Sequence, residues 1–142
     1  MRPYPKISML INILRRKESL SLGARGEEAA KNYLKKLGYK IVALNFSNKS
    51  GRRLGEIDII ARDKNELVFV EVKTRMALNS SFSPLPEESI TPAKLLKLNK
   101  AASFYLAKNN MQDVPYRFDA IAISVDATKL RATIRHIKNI FV

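Results

Sequence analysis

Apolar residues recur at helical spacing between residues 24 and 37, where Ala30, Tyr33, Leu34 and Leu37 form one stripe. The pattern predicts an amphipathic helix, and Gly38, just past the last apolar position, is a common stop signal. Gly26 is awkward in the first turn of that helix. Either it permits a close backbone approach or it is merely tolerated. From residue 39 the pattern changes to that of strands: residues 39–46 carry Ile41, Val42 and Leu44, and further strands are predicted at about 55–62 and 67–75. Asp63-Lys64-Asn65-Glu66 between the last two reads as a hairpin turn. Residues 76–91, with Ser80-Ser81-Phe82-Ser83-Pro84 and Pro86, have no regular period. The segment is long for a passive connection and suits a mobile, ligand-contacting loop. Thr91-Pro92 is a cap followed by proline at the first helical position, opening a helix to about residue 108 with Leu95, Leu98, Ala102, Tyr105 and Leu106 on its apolar side. Strands at 117–125 and 130–136 follow, with 137–142 as a short closing turn. The order α-β-β-β-α-β-β predicts one α/β domain, a mixed sheet with helices packed on it.

Strand alternation sorts the charged residues of the central hairpin. A four-residue turn at 63–66 pairs Arg62 with Leu67; continued down the ladder, that register sets Asp58 opposite Glu71 and Glu56 opposite Lys73. One face then collects Glu56, Asp58, Glu71 and Lys73, and the other Ile57, Ile59, Val68, Val70 and Val72. Adjacent carboxylates repel unless a cation or base lies between them. A hard divalent ion prefers such oxygen ligands, polarises a phosphoryl oxygen and acidifies a bound water. Lys73 beside them suits the charge that develops on phosphate. A solvated cross-strand salt-bridge cluster is the competing explanation. Glu27, on the flank of the first helix's apolar stripe, is placed to reach a helix–sheet junction, or else serves the helix N-terminus.

Composition narrows the class of partner. There are 26 basic residues against 13 acidic ones in 142, a formal net charge of +13. So strong an excess favours a polyanion: DNA, RNA or an anionic membrane surface. The absence of cysteine excludes disulfides, thiolate metal sites and cysteine nucleophiles, and fits a cytoplasmic protein. The apolar run from Ile7 to Leu14, roughly eight residues, is too short to span a bilayer, so no stable membrane insertion is expected. Arg15-Arg16-Lys17 follows it without a small-residue cleavage site. Residues 1–22 thus read as a basic N-terminal arm and 23–142 as the folded domain.

The chain resembles the YraN-like family of bacterial proteins over residues 23–142. The resemblance rests on Gly23 to Glu27 with Ala30 and Tyr33-Leu34, Gly38-Tyr39 and Asn45-Phe46. It continues through Gly55-Glu56-Ile57-Asp58, Phe69-Val70-Glu71-Val72-Lys73-Thr74-Arg75, Arg117-Phe118-Asp119 and His136 to Phe141. That family is similar to the PD-(D/E)xK nuclease superfamily, in its Holliday-junction-resolvase-like branch. The resemblance implies a restriction-endonuclease-like α/β fold, with the acid of β2 at Asp58, the acid-x-Lys at Glu71-Val72-Lys73 and the helical acid at Glu27. It also implies Mg²⁺ or Mn²⁺ on Asp58 and Glu71, a structured-DNA substrate and a homodimer. Ile57 stands before Asp58 where the superfamily's name has Pro.

Catalytic roles are therefore expected at Glu27, Asp58, Glu71 and Lys73, and phosphate contacts at Arg52, Arg53, Arg75 and Lys94. Asp119 is either a carboxylate close to the site or half of a buried salt bridge with Arg117 or another base. His136, the only histidine, is expected to make a structural hydrogen bond. The resulting function is a metal-dependent endonuclease-like protein; the alternative is a non-catalytic nucleic-acid-binding module that keeps the nuclease fold. A third reading, an assembly or membrane-surface protein using residues 1–22, has only the arm's composition behind it.

Overall fold

A computed structural model describes residues 21–47, 55–77, 90–126 and 131–140. Ser21 caps the first helix, α1 (Leu22–Lys36), its hydroxyl accepting the Ala24 N–H at 3.1 Å. Ala29, Ala30, Tyr33 and Leu34 form its buried side. Gly38, with φ 93°, ends it by turning the chain, and Tyr39 N–H then donates to Leu34 O. The strands are β1 (Lys40–Ser47), β2 (Glu56–Asp63), β3 (Glu66–Ala77), β4 (Tyr116–Asp126) and β5 (Arg131–Ile137); helix α2 (Pro92–Lys108) lies between β3 and β4. The predicted element order holds throughout.

The sheet order is β1-β2-β3-β4-β5. Every neighbouring pair is antiparallel except β3 and β4, which run parallel with α2 as their crossover. Each sheet face carries its own core. On one, α1 packs Ala30, Tyr33 and Leu34 onto Ile59, Val68, Val70, Val72, Ile121 and Ile123. On the other, α2 packs Leu98, Ala101, Ala102 and Tyr105 onto Ile57, Ile60, Leu67, Phe69 and Phe118. Phe69, fully buried, meets Tyr105 edge-on at 5.9 Å between ring centroids. No helix among the described residues is long and apolar enough to cross a membrane.

The central hairpin departs from its predicted register at one level. The β2–β3 ladder runs from Asp63↔Glu66 through Arg62↔Leu67 to Ile59↔Val70 and stops there. The expected pairings of Asp58 with Glu71 and of Glu56 with Lys73 do not form. Ile57, expected on the same face as Ile59, packs instead in the α2-side core while Ile59 packs on the α1 side. The strands part below Ile59 because β2 changes its alternation at Asp58 while β3 continues straight along β4 as far as Ala77↔Asp126.

The opposite end of the hairpin is tied by a polar hub. Arg117 Nη1 donates to Glu66 at 2.8 Å, Nη2 to Asp63 at 3.1 Å and to the Tyr39 hydroxyl at 2.8 Å, and Nε to Asp119 at 3.1 Å. Asp119, fully buried, also bonds His136 Nε2 at 2.8 Å and accepts the Asn139 N–H at 3.1 Å. His136 Nδ1 lies 3.3 Å from the Tyr33 hydroxyl. Of the two readings of Asp119, the buried salt bridge with Arg117 is the one that forms, and His136 has the structural role expected of it. Burial alone would push the Asp119 carboxyl up, but the bonds from His136, Arg117 and Asn139 outweigh it and hold the carboxyl below the usual aspartate range.

Candidate functional site

Asp58 sits where β2 leaves β3. The amide of Val72, which has no backbone partner on β2 at this level, donates to Asp58 Oδ2 at 2.8 Å, so the carboxylate replaces a rung of the ladder. This bond holds Asp58 at the rim between the two sheet faces. Glu27 reaches it from α1 on one side, Glu71 from β3 on the other, and each shares a hydrogen bond with the Asp58 carboxyl.

The close approach of α1 depends on Gly26. A Cβ on that residue would collide with the Thr74 side chain of β3, its hydroxyl oxygen first. Of the two readings of Gly26, close approach is therefore the one realised, and it lets the next residue, Glu27, touch Asp58. On the other face Gly55, at φ 126°, brings the start of β2 against the first turns of α2; a Cβ there would meet the Lys97 carbonyl oxygen at 2.8 Å.

Packing three acids together has an electrostatic consequence. Burial, then the Asp58 charge, push the Glu71 carboxyl up to about 8, against the pull of Lys94 and Lys73. Burial and Asp58 likewise push Glu27 up to about 7, with Glu56 adding a smaller repulsion. Asp58 is raised by burial, and the Val72 N–H opposes the rise by favouring its charged form. Burial and mutual repulsion thus disfavour the charged form of all three carboxyls. Among the described residues no three Asp, Glu or His side chains form a ready-made metal-binding group; the contacts are pairwise, Glu27 to Asp58 and Asp58 to Glu71. The donor set nevertheless fits a hard divalent cation, since the atoms are carboxyl oxygens and a cation would offset the repulsion between them.

Of the expected residues, Glu27, Asp58, Glu71 and Lys73 are brought together. Lys94, exposed in the first turn of α2, is close enough for its charge to act on Glu71, and its effect ranks ahead of that of Lys73. Arg75 stands two residues beyond Lys73, half-buried and on the same face of β3 by alternation. Arg52, Arg53, residues 1–20 and most of the 76–91 segment lie outside the described residues. Sequence reasoning placed Glu56 in the cluster by a register that does not form; it is exposed, and reaches Glu27 and Asp58 through charge alone. It also passed over Asn45, the residue of β1 at the level of Asp58, which has φ 51°. A polar residue between Leu44 and Phe46 in an apolar strand was the available signal.

A mixed five-stranded sheet between two helices, with an acid on one strand and acid-x-Lys on the next, is the arrangement of the PD-(D/E)xK, restriction-endonuclease-like superfamily, and this chain is structurally related to it. Within that class the chain belongs to the UPF0102, or YraN-like, family: the model of "Uncharacterised protein family UPF0102" matches residues 26–123. Similar proteins include a UPF0102 protein of Geotalea uraniireducens, 45% identical over 89% of this chain and 93% of its own length. Another from Caldicellulosiruptor saccharolyticus is 40% identical over 84% of this chain and 96% of its own. The UPF0102 protein GSU0650 of Geobacter sulfurreducens is 43% identical over 84% and 88%.

Proposed function

We propose that the chain is a divalent-metal-dependent endonuclease-like protein that binds structured DNA and hydrolyses its phosphodiester bonds. The observation that carries this reading is the meeting of Glu27, Asp58 and Glu71, from three elements, at one rim beside Lys73 and Lys94. A protein gains no stability by packing acids whose charges repel, so the cluster points to a cation as its purpose. Asp58 and Glu71 would hold Mg²⁺, or Mn²⁺ in its place, with Glu27 beside them. A bound ion of this kind polarises a phosphoryl oxygen and lowers the pKa of a water.

The protein's own groups do the rest. The Val72 N–H fixes the Asp58 carboxylate in one orientation. Lys73 Nζ orients the attacking water and balances charge at the scissile phosphate. Lys94 and Arg75 hold neighbouring phosphates, and Arg52 and Arg53 extend the track. Both helices begin at the site end of the sheet: Gly26 of α1 abuts Thr74, and Lys97 of α2 abuts Gly55. Neither helix has an acid in its first turn, so two positive dipole ends meet the phosphate backbone there. The substrate sets the setting as cytoplasmic, and a homodimer would present two sites to two strands.

The test is cleavage of labelled duplex, nicked, flap and four-way-junction DNA with Mg²⁺ and then Mn²⁺, comparing the wild type with Asp58→Ala and with EDTA. Cleavage lost in the variant supports the nuclease. Binding that survives Asp58→Ala, with no cleavage by the wild type, replaces it with a non-catalytic nucleic-acid-binding module.

A further inference from the structure

We infer that Asn45 is a positioning residue for Asp58, acting through a kink that β1 and β2 share. Along β1, Ala43 and Phe46 both pack against the α2-side core, although they are three residues apart and strict alternation would separate them. Along β2, Ile57 and Ile60 do the same. The rungs on either side are intact, Leu44↔Ile59 and Phe46↔Ile57, and the register does not shift between them. The missing rung is Asn45 opposite Asp58.

Asn45 has φ 51°, in the left-handed region that asparagine enters at little cost and β-branched residues resist. Both strands thus lose one residue from the alternation at the same level and invert phase together, which is why the pairing survives. For β1 the inversion turns Phe46 onto Phe104 and Tyr105, which it meets at 6.2 and 5.1 Å between ring centroids. For β2 it frees Asp58 from both faces. Its carboxylate then swings along the rim to accept the Val72 N–H, between Glu27 and Glu71. The functional meaning of this placement rests on the nuclease reading; the placement itself does not.

The test reads the Val72 amide by ¹H–¹⁵N NMR and hydrogen exchange in the full chain, without metal or DNA. Asp58→Ala defines the signature of a lost bond: an upfield amide proton and faster exchange. Asn45→Gly, which keeps the left-handed backbone, leaves the Val72 amide as in the wild type. Asn45→Val moves it toward the Asp58→Ala position and speeds its exchange about tenfold or more, while the Leu67 amide, bonded to Pro115 O at the far end, keeps its protection. Asn45→Ala, with a milder backbone penalty, gives a smaller shift in the same direction and serves if the valine variant does not fold. An unchanged Val72 amide in Asn45→Ala and in any folded Asn45→Val overturns the inference, as does an equal loss in Asn45→Gly. A wild type that cuts no DNA removes the nuclease reading, whereas this inference stands or falls on Val72.

Discussion

Replacing Asp119 by Asn removes one charge from the centre of the hub and leaves its shape. The wild-type carboxylate is fully buried and bonds Arg117 Nε at 3.1 Å, His136 Nε2 at 2.8 Å and the Asn139 amide at 3.1 Å. Breaking a buried ion pair from one side costs about 3–5 kcal/mol. Arg117 keeps Asp63 and Glu66, so its guanidinium is not left uncompensated, and the loss falls at the low end, about 3 kcal/mol. For a domain of this size that is roughly a 10 °C fall in Tm. The pH dependence supplies the sharper check. The folded-state pKa of Asp119 lies below that of the unfolded chain, about 3.9. Its contribution is therefore complete above the unfolded value and drains away as pH falls through the folded one, because the unfolded state takes the proton first. Urea unfolding of wild type and Asp119→Asn, followed by far-UV circular dichroism from pH 7 to 3, should show a constant gap above about pH 5 that narrows below about 4. A gap under about 1 kcal/mol at neutral pH, or one that stays flat down to pH 3, would refute the claim that the hub is held by the Asp119 charge.

Three other outcomes follow from the geometry. Gly26→Ala destabilises the protein by about 2 kcal/mol in a melting experiment despite alanine's better helix propensity, because the new Cβ collides with Thr74; a rise in Tm would contradict the close approach. Glu71→Gln stabilises the metal-free protein at pH 8 by about 1–2 kcal/mol. The raised carboxyl keeps its proton in the fold while the unfolded chain loses it, so stability falls as pH rises from about 4.5 toward 8; matching unfolding curves for wild type and variant would count against this, and the gain should vanish near pH 4. Lys94→Ala weakens DNA binding across sequences and lowers the slope of log affinity against log salt by about one, and an unchanged slope takes Lys94 off the phosphate track.

The elements were legible in the sequence because each carries its own period. The α1 stripe from Ala30 to Leu37 and the Thr91-Pro92 cap of α2 are local signals, and the structure places both helices where those signals put them. The pairing of Arg62 with Leu67 followed from a four-residue turn, and it forms. The extension of that register to Asp58 failed because it assumed unbroken alternation, whereas β2 changes phase at Asp58. The cause lies on another strand, at Asn45, and no period within β2 reports it. The hub was only half legible for the same reason: Arg117 and Asp119 are two residues apart, but Asp63, Glu66, Tyr39 and Asn139 reach them through tertiary contacts. Glu27 was reached from its helix face and from the family resemblance; that it would meet Asp58 required the packing permitted by Gly26.

The two ends of the hairpin solve opposite problems with similar residues. At the Asp63–Glu66 end three acids surround one partly buried arginine, each bonded to it, and the Arg117 charge is held firmly in its protonated form. That end is electrostatically closed, and the ladder above it is continuous through Ile59↔Val70. At the other end three acids meet, Lys94 and Lys73 act on Glu71 by charge, and the ladder is broken where Asp58 takes the Val72 amide. Burial, and then repulsion among the acids, push the carboxyls of the second cluster up, which lowers the stability of the fold at neutral pH. A carboxyl set serving only as a salt-bridge network would be expected to resemble the first end, and the contrast within one hairpin supports the proposal that the second receives a cation.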